Sequence, residues 1–369
     1  MTTSLRHALV PSALALAAAL AVPAPAADGA RVGGSGHVYS LSNDAAGNAL
    51  LVYARGPGGT LTLAQTVSTG GLGTGAGLGT QGAVTLSQDG RWLFAVNAGS
   101  DSVAVLSVGE GGVALVSTAA SGGHAPSSVT ERAGVVYVLN TGVGGNVAGF
   151  RNDAGTLSAL ADGVRMLSDD TVDVGPAQVA FDRLGRNVVV TEKSTNLIDT
   201  WPARPDGRLG AATFTASAGA TPFGFVFDPA NHLLVSEAAA STMSSYRFPG
   251  DAPHVPDVVS AAVPTGQVAA CWAAATPDGR LAFTADAGTG AISSFEVDAR
   301  GELVLAQSAA EIVPDSHPLD MVVSASGKRL FVLNTGNGTI ASFVVGVHGR
   351  LHPLSTVTVP TTAAGLAID

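Results

Sequence analysis

A short apolar strand, a polar residue, a turn of small residues and a second apolar strand recur seven times in this chain. The copies read VYSLSNDAAGNALLVY, LFAVNAGSDSVAVLSV, VYVLNTGVGGNVAGF, VVVTEKSTNLIDTW, LLVSEAAASTMSSY, LAFTADAGTGAISSF and LFVLNTGNGTIASFVV. The segments leading into them begin at Ser35, Asp89, Ala133, Leu184, Ala230, Asp278 and Ser326, a period of 44 to 54 residues. A period in that range marks an array of like supersecondary units, none able to bury its apolar face alone. Short strands set off by turn residues make the unit a four-stranded antiparallel blade rather than a helix pair. The expected fold is all-β, a seven-bladed β-propeller.

Most units divide into four strands. The innermost includes AVTLS (Ala83–Ser87), AQVAFD, FGFVFD and WAAAT, rich in the small residues that suit converging blades. Turns such as QDGR, DRLGR and PDGR follow, with Gly and Asp supplying conformations that cost other residues more. The first unit lacks an inner strand, whereas AAGLAID, residues 363–369, has no blade of its own. The sequence therefore predicts that the last strand enters the blade begun by His37–Leu41, which removes the open edge.

Arg6 and His7 precede an apolar run from Ala8 to about Val22, followed by Ala24-Pro25-Ala26. This order is that of a secretory signal peptide, so residues 1–26 are expected to be cleaved and residues 27–369 to form the propeller. The expected location is outside the cytoplasm: extracellular, periplasmic or at the cell envelope. Charged residues make up 12% of the chain and the formal net charge is −10. A nucleic-acid partner needs a basic footprint and is not expected, nor is membrane insertion. Cys271 is the only cysteine, so no intrachain disulfide forms. The protein is expected to be a monomer whose partner is a small molecule.

In a propeller, the ends of the second strands and the starts of the inner strands share the face around the channel. The repeat alignment puts Asn43, Asn97, Asn140, Glu192, Glu237, Asp286 and Asn334 at the second-strand ends. Asparagine there suits the following turn. Glu192, Glu237 and Asp286 stand in consecutive blades, where neighbouring carboxylates at a channel mouth raise one another's pKa and supply a general acid or base. The loops entering the inner strands add Gln81, His124, Gln178, Phe223, Cys271, Trp272, His317 and Asp320. His124 joins the catalytic candidates because an exposed imidazole titrates near neutrality. Gln81, Asn97, Asn140, Gln178, Phe223, Trp272, His317, Asp320 and Asn334 are substrate-binding candidates, with Lys193 for an anionic group. Cys271 reads as a small buried hydrophobe.

Other motifs carry no chemistry. Gly77-Leu78-Gly79-Thr80-Gln81-Gly82 fits G-x-G-x-x-G, but no helix follows to hold a pyrophosphate, so it reads as a long loop. Phosphate-loop, nucleophile-elbow and zinc spacings are missing, and no metal or cofactor is expected. Asn337-Gly338-Thr339 matches a glycosylation sequon but reads first as a turn.

The repeats, the PFGF stretch (Pro222–Phe225), the AACW stretch (Ala269–Trp272) and the closing AAGLA resemble the lactonase-type seven-bladed propellers. This group includes propeller-type 6-phosphogluconolactonases and carboxymuconate cyclases. The resemblance spans essentially the whole chain after the leader. It implies hydrolysis of a cyclic ester, or a lactonising cycloisomerisation. Where many members have a His-rich entry to an inner strand, this chain has Pro176-Ala177-Gln178, with Glu192 near the acidic position. A phosphosugar site would also gather Arg or Lys, yet only Lys193 falls at the mouth. The expectation is a secreted lactonase-like hydrolase acting on an unphosphorylated cyclic ester. The alternatives are a non-catalytic propeller binding a carbohydrate, peptide or envelope partner, and kinship with the repeat propellers of periplasmic dehydrogenase subunits.

Overall fold

The structure, a computed structural model, describes Met1, residues 36–250 and residues 254–369. The proposed leader lies outside the described residues. Residues 35–369 form one unit of seven four-stranded antiparallel sheets. Blade 1 pairs Ala364–Ile368 with His37–Leu41, followed by Ala49–Arg55 and Leu61–Ser68. Each later blade runs outward in chain order. Their inner strands are Val84–Leu86, Pro126–Arg132, Pro176–Phe181, Pro222–Phe227, Ala270–Ala275 and Pro318–Val323, in blades 2 to 7.

Closure follows the sequence expectation. Val38 pairs with Ile368, Tyr39 with Ala367 and Leu41 with Ala364. Asp369 adds a polar clasp: Tyr39 Oη donates to its Oδ2 at 3.0 Å and Arg55 Nη2 to its main-chain oxygen at 2.5 Å. The ring thus joins without leaving the first blade's inner edge unpaired.

The core lies between blades. Second and third strands are almost wholly buried, as in Val135–Asn140 and Thr242–Arg247, whereas fourth strands such as Leu61–Ser68 alternate between covered and exposed positions. Phe94, Phe283, Phe331 and Trp201 are among the large side chains packed in these seams. Burying one such side chain contributes roughly 1.5–3 kcal/mol, so the cohesion is spread around the ring. The DGR turns explain their own sequence. Asp89 Oδ1 accepts from Ser87 Oγ at 2.7 Å and from the Arg91 N–H at 3.1 Å, while Gly90 takes φ +69°. Asp278 repeats the arrangement with Thr276 and Arg280.

Five inner strands begin with a shared irregularity. Ala125, Gly175, Thr221, Ala269 and His317, each preceding the strand's first residue, have positive φ. Each of these strands then shifts register against the second strand, as between Pro176 and Gln178 or between Ala270 and Trp272. A bulge leaves a residue unpaired and re-aims its side chain. Phe223 and Cys271 occupy such positions.

Candidate functional site

The loop between Leu61–Ser68 and Val84–Leu86 crosses the centre of the ring. Four consecutive residues tie it to five blades. Gly79 O accepts from Lys193 Nζ of blade 4 at 2.7 Å. Thr80 O accepts from Trp272 Nε1 of blade 6 at 3.1 Å, and Thr80 Oγ1 donates to Ser127 O of blade 3 at 3.1 Å. The Gln81 N–H reaches Ala177 O of blade 4, while its carboxamide makes two 3.0 Å bonds with Ala273 of blade 6, Nε2 to the carbonyl and Oε1 from the N–H. A 3.5 Å contact from Nε2 to Phe225 O reaches blade 5. The Gly82 N–H donates to Asp320 Oδ1 of blade 7 at 3.2 Å. Gly224 makes room: a Cβ there would stand 2.1 Å from Gln81 Oε1.

This crossing divides the channel. Below it lies a cavity of about 360 Å³ lined by Gln81, Gln178, Asp320, Arg183, Phe227 and Val323 among others, leading toward the face that carries the DGR turns. Gln178 Oε1 accepts from the Phe225 N–H at 2.7 Å. Burial pushes the Asp320 carboxyl up to about 7 despite the N–H groups of Gly82 and Gly365.

Above the crossing, Lys193 stands with its ammonium 4.9 Å from the centre of the Phe223 ring. Phe223 packs against Trp272 at 4.8 Å between centroids. Burial lowers the Lys193 pKa, partly offset by Asp173. Burial raises the Cys271 thiol to about 12, so it is an inert packing group as expected. Lys193 and Trp272 thus aim two N–H donors at the carbonyls of adjacent residues, beside a buried Phe223–Trp272 pair. Such donors suit an ester carbonyl that gains negative charge.

Glu192, Glu237 and Asp286 end the second strands of blades 4, 5 and 6, paired with Pro176, Pro222 and Ala270. Expected as neighbouring carboxylates at a channel mouth, all three are fully buried in the structure, each among donors of its own. Glu192 accepts from the Ser168 N–H, Ser168 Oγ and Thr195 Oγ1 at 2.9, 2.5 and 2.5 Å. Glu237 accepts from Ser217 Oγ, the Gly219 N–H and Thr242 Oγ1. Asp286 accepts from Thr284 and Ser293; burial raises its carboxyl to about 7. They tie strand ends and loops together, as asparagine does in other blades. Asn97 Oδ1 accepts from Asn48 and Thr69, Asn140 donates to Ser121 O and Asn334 to Thr339. Glu192 and Glu237 bond the loop after the preceding blade's fourth strand, at Ser168 and Gly219, as Asn97 and Asn140 do at Thr69 and Ser121, and the turn-residue pattern could not reveal these partners. Asn43 lies beyond His37–Leu41, one residue past the Ser42 that pairs with Ala49, and donates into the crossing loop at Ala76 O.

The two histidines stand apart from the Lys193 group. His124 Nδ1 lies 2.8 Å from Asp101 Oδ2, and its side chain is 88% exposed. Asp101 Oδ1 also accepts from the Ala125 N–H. The pair sits on the same face as the mouth, three residues before the Ser127 carbonyl that holds Thr80. His317 Nδ1 lies 3.1 Å from Ala287 O. Asn337 and Gly338 lie in a turn and Thr339 opens the strand Thr339–Val345, with Thr339 Oγ1 donating to Asn337 Oδ1. Among the described residues, no group of three or more His, Cys, Asp or Glu side chains is arranged to hold a metal.

Residues 47–140 and 264–366 match the family "Lactonase, 7-bladed beta-propeller". The chain belongs to this lactonase propeller family. The solved structures it resembles include the periplasmic gluconolactonase PpgL of Pseudomonas aeruginosa, with 18% identity over 90% of this chain and 99% of that one and a TM-score of 0.72. A provisionally assigned 6-phosphogluconolactonase of Bacteroides fragilis aligns with 16% identity over 91% and 98%, also with a TM-score of 0.72. The inactive H270A virginiamycin B lyase of Staphylococcus aureus shares 13% identity over 75% and 83%, at a TM-score of 0.52. These likenesses establish the common fold. No curated protein sequence matches the chain. Within this lactonase propeller, the family match spans the crossing loop, Trp272 and Asp320, but not Lys193 or Phe223.

Proposed function

We propose that this lactonase propeller hydrolyses an unphosphorylated cyclic ester at the upper mouth, after export from the cytoplasm. The observation that carries the reading is the pair of N–H donors, Lys193 and Trp272, converging on neighbouring carbonyl oxygens beside the Phe223 ring. A lactone carbonyl would take the place of one loop carbonyl, and displacing that loop residue would open the buried Phe223–Trp272 pair to the lactone ring. Water adds to the carbonyl carbon while Lys193 faces the oxygen that gains negative charge. The ring C–O bond breaks, and the proton released by the water passes to the departing alkoxide oxygen, leaving a hydroxy acid. Among the described residues, Lys193 is the one cation placed in this group, and a phosphate ester calls for more. The leader at residues 1–26 supports export, as does the periplasmic designation of the P. aeruginosa relative.

The test is proton release from a panel of unphosphorylated lactones, with gluconolactone first, by wild type and Lys193→Met. Turnover should fall about 10²-fold or more in the variant, the range in which an oxyanion-stabilising group acts. Full turnover by the variant would refute the assignment. Occupation of both donors by the protein's own loop favours a second reading, binding without turnover; saturable lactone binding with no proton release would establish it.

A further inference from the structure

A second cavity lies on the opposite face, at the outer seam between blades 2 and 3. It has a volume of about 650 Å³ and is lined by Gln88, Asp89, Arg91, Trp92, Glu131 and Asn152 among others. These residues come from the DGR turn of blade 2, the corresponding turn of blade 3 and the start of blade 3's outer turn. Trp92 is half-buried, with one edge against Gly155, where a Cβ would approach the indole to 2.8 Å. Around it the hydrogen-bonding groups are only partly used. Glu131 holds the N–H groups of Gln88 and Gly134, Asp89 pairs with Arg91 at 2.7 Å, and Asn152 Oδ1 accepts from Gly155. The Asn152 amide N–H groups, the remaining Arg91 donors and further carboxylate lone pairs stay available to a ligand.

The repeat supplies an internal control. Between blades 6 and 7 the same turn, Asp278 to Arg280, lines a groove of about 360 Å³. There Leu281 stands where blade 2 has Trp92, and a contact between His348 and Glu296 lies across the space. The DGR turn alone therefore does not produce the blade 2 arrangement. An indole wall flanked by planar amide, guanidinium and carboxylate groups matches a pyranose, with apolar C–H groups on one face and hydroxyls around its rim. Two carboxylates against one guanidinium favour a neutral sugar over an acidic one.

We propose that this seam is a saccharide-binding site for a neutral disaccharide unit, separate from the upper mouth. The inference does not rest on the proposed lactone hydrolysis. The full-length protein is titrated with cellobiose, maltose and N,N′-diacetylchitobiose, by calorimetry and by acrylamide quenching of tryptophan fluorescence. Trp201 and Trp272 are 1% and 5% exposed, so quenching reports Trp92. At least one disaccharide should bind saturably and shield the indole. Trp92→Leu, which copies Leu281, should lower that affinity at least tenfold and leave any lactone turnover unchanged. Absence of saturable binding by all three sugars, or undiminished binding by a folded Trp92→Leu protein, would overturn the proposal. If Trp92→Leu does not fold, the wild-type quenching still decides: an indole unshielded at saturating sugar overturns it too.

Discussion

Replacing Gln81 by leucine tests whether the loop crossing stabilises the ring. Leucine keeps most of the volume but removes both 3.0 Å bonds with Ala273, leaving the N–H and carbonyl of that residue without their partner. An unpaired buried backbone group costs about 1–3 kcal/mol. The cavity below the crossing admits water to part of this surface, so the expected loss is about 2–4 kcal/mol. At about 2.1 cal/mol/K per residue over roughly 330 residues, the unfolding entropy near the midpoint is about 0.7 kcal/mol/K. The midpoint should therefore fall by about 3–6 °C in differential scanning calorimetry. Gln65 provides the matched control. It makes the same two-bond clasp on Val113, but between the outer strands of adjacent blades, where solvent replaces it more readily. Gln65→Leu should cost no more than about 1 kcal/mol. An unchanged midpoint in Gln81→Leu, or equal losses in the two variants, would refute the claim that the crossing ties opposite sides of the ring together.

Glu192→Gln should lower stability by about 1–3 kcal/mol in denaturant titration, because an amide cannot accept all three donors now facing the carboxylate; an unchanged midpoint would show that those bonds are dispensable. The Asp199 oxygens meet no donor, and burial together with neighbouring Glu192 raises the carboxyl to about 10. The folded state keeps this proton while the unfolded chain loses it near pH 4, so stability falls as pH rises from about 4 to about 10. Asp286 and Asp320 act in the same direction only up to about 7. Lys193, whose pKa is lowered, acts in the opposite direction in both proteins. Asp199→Asn should therefore be more stable than wild type, with the difference widening from pH 7 to 9; a constant or shrinking difference would refute protonation of Asp199. Deleting residues 365–369 removes most of the closing strand and the Asp369 clasp. It should cause aggregation or a large fall in midpoint, whereas a soluble variant with normal melting would refute closure by this strand.

The period of the repeat, the small residues of the inner strands and the orphan AAGLAID segment were enough to determine a closed seven-bladed ring. These are local signals: strand alternation and turn chemistry act over a few residues, and only one arrangement gives every blade an inner strand. The same regularity placed Glu192, Glu237 and Asp286 on one face in consecutive blades. It left open where their carboxylates point, because that depends on Ser168, Gly219 and Ser293, which the fold brings into reach. Gln81 shows the gap most clearly. In sequence it belongs to a glycine-rich loop with a misleading nucleotide-binding pattern. In the ring its carboxamide spans the channel to Ala273, 192 residues away. The sequence by itself determined the blades and the order in which they close. Tertiary structure alone decided which polar groups are buried as struts and which remain at the mouth, because each side chain's partners come from different blades.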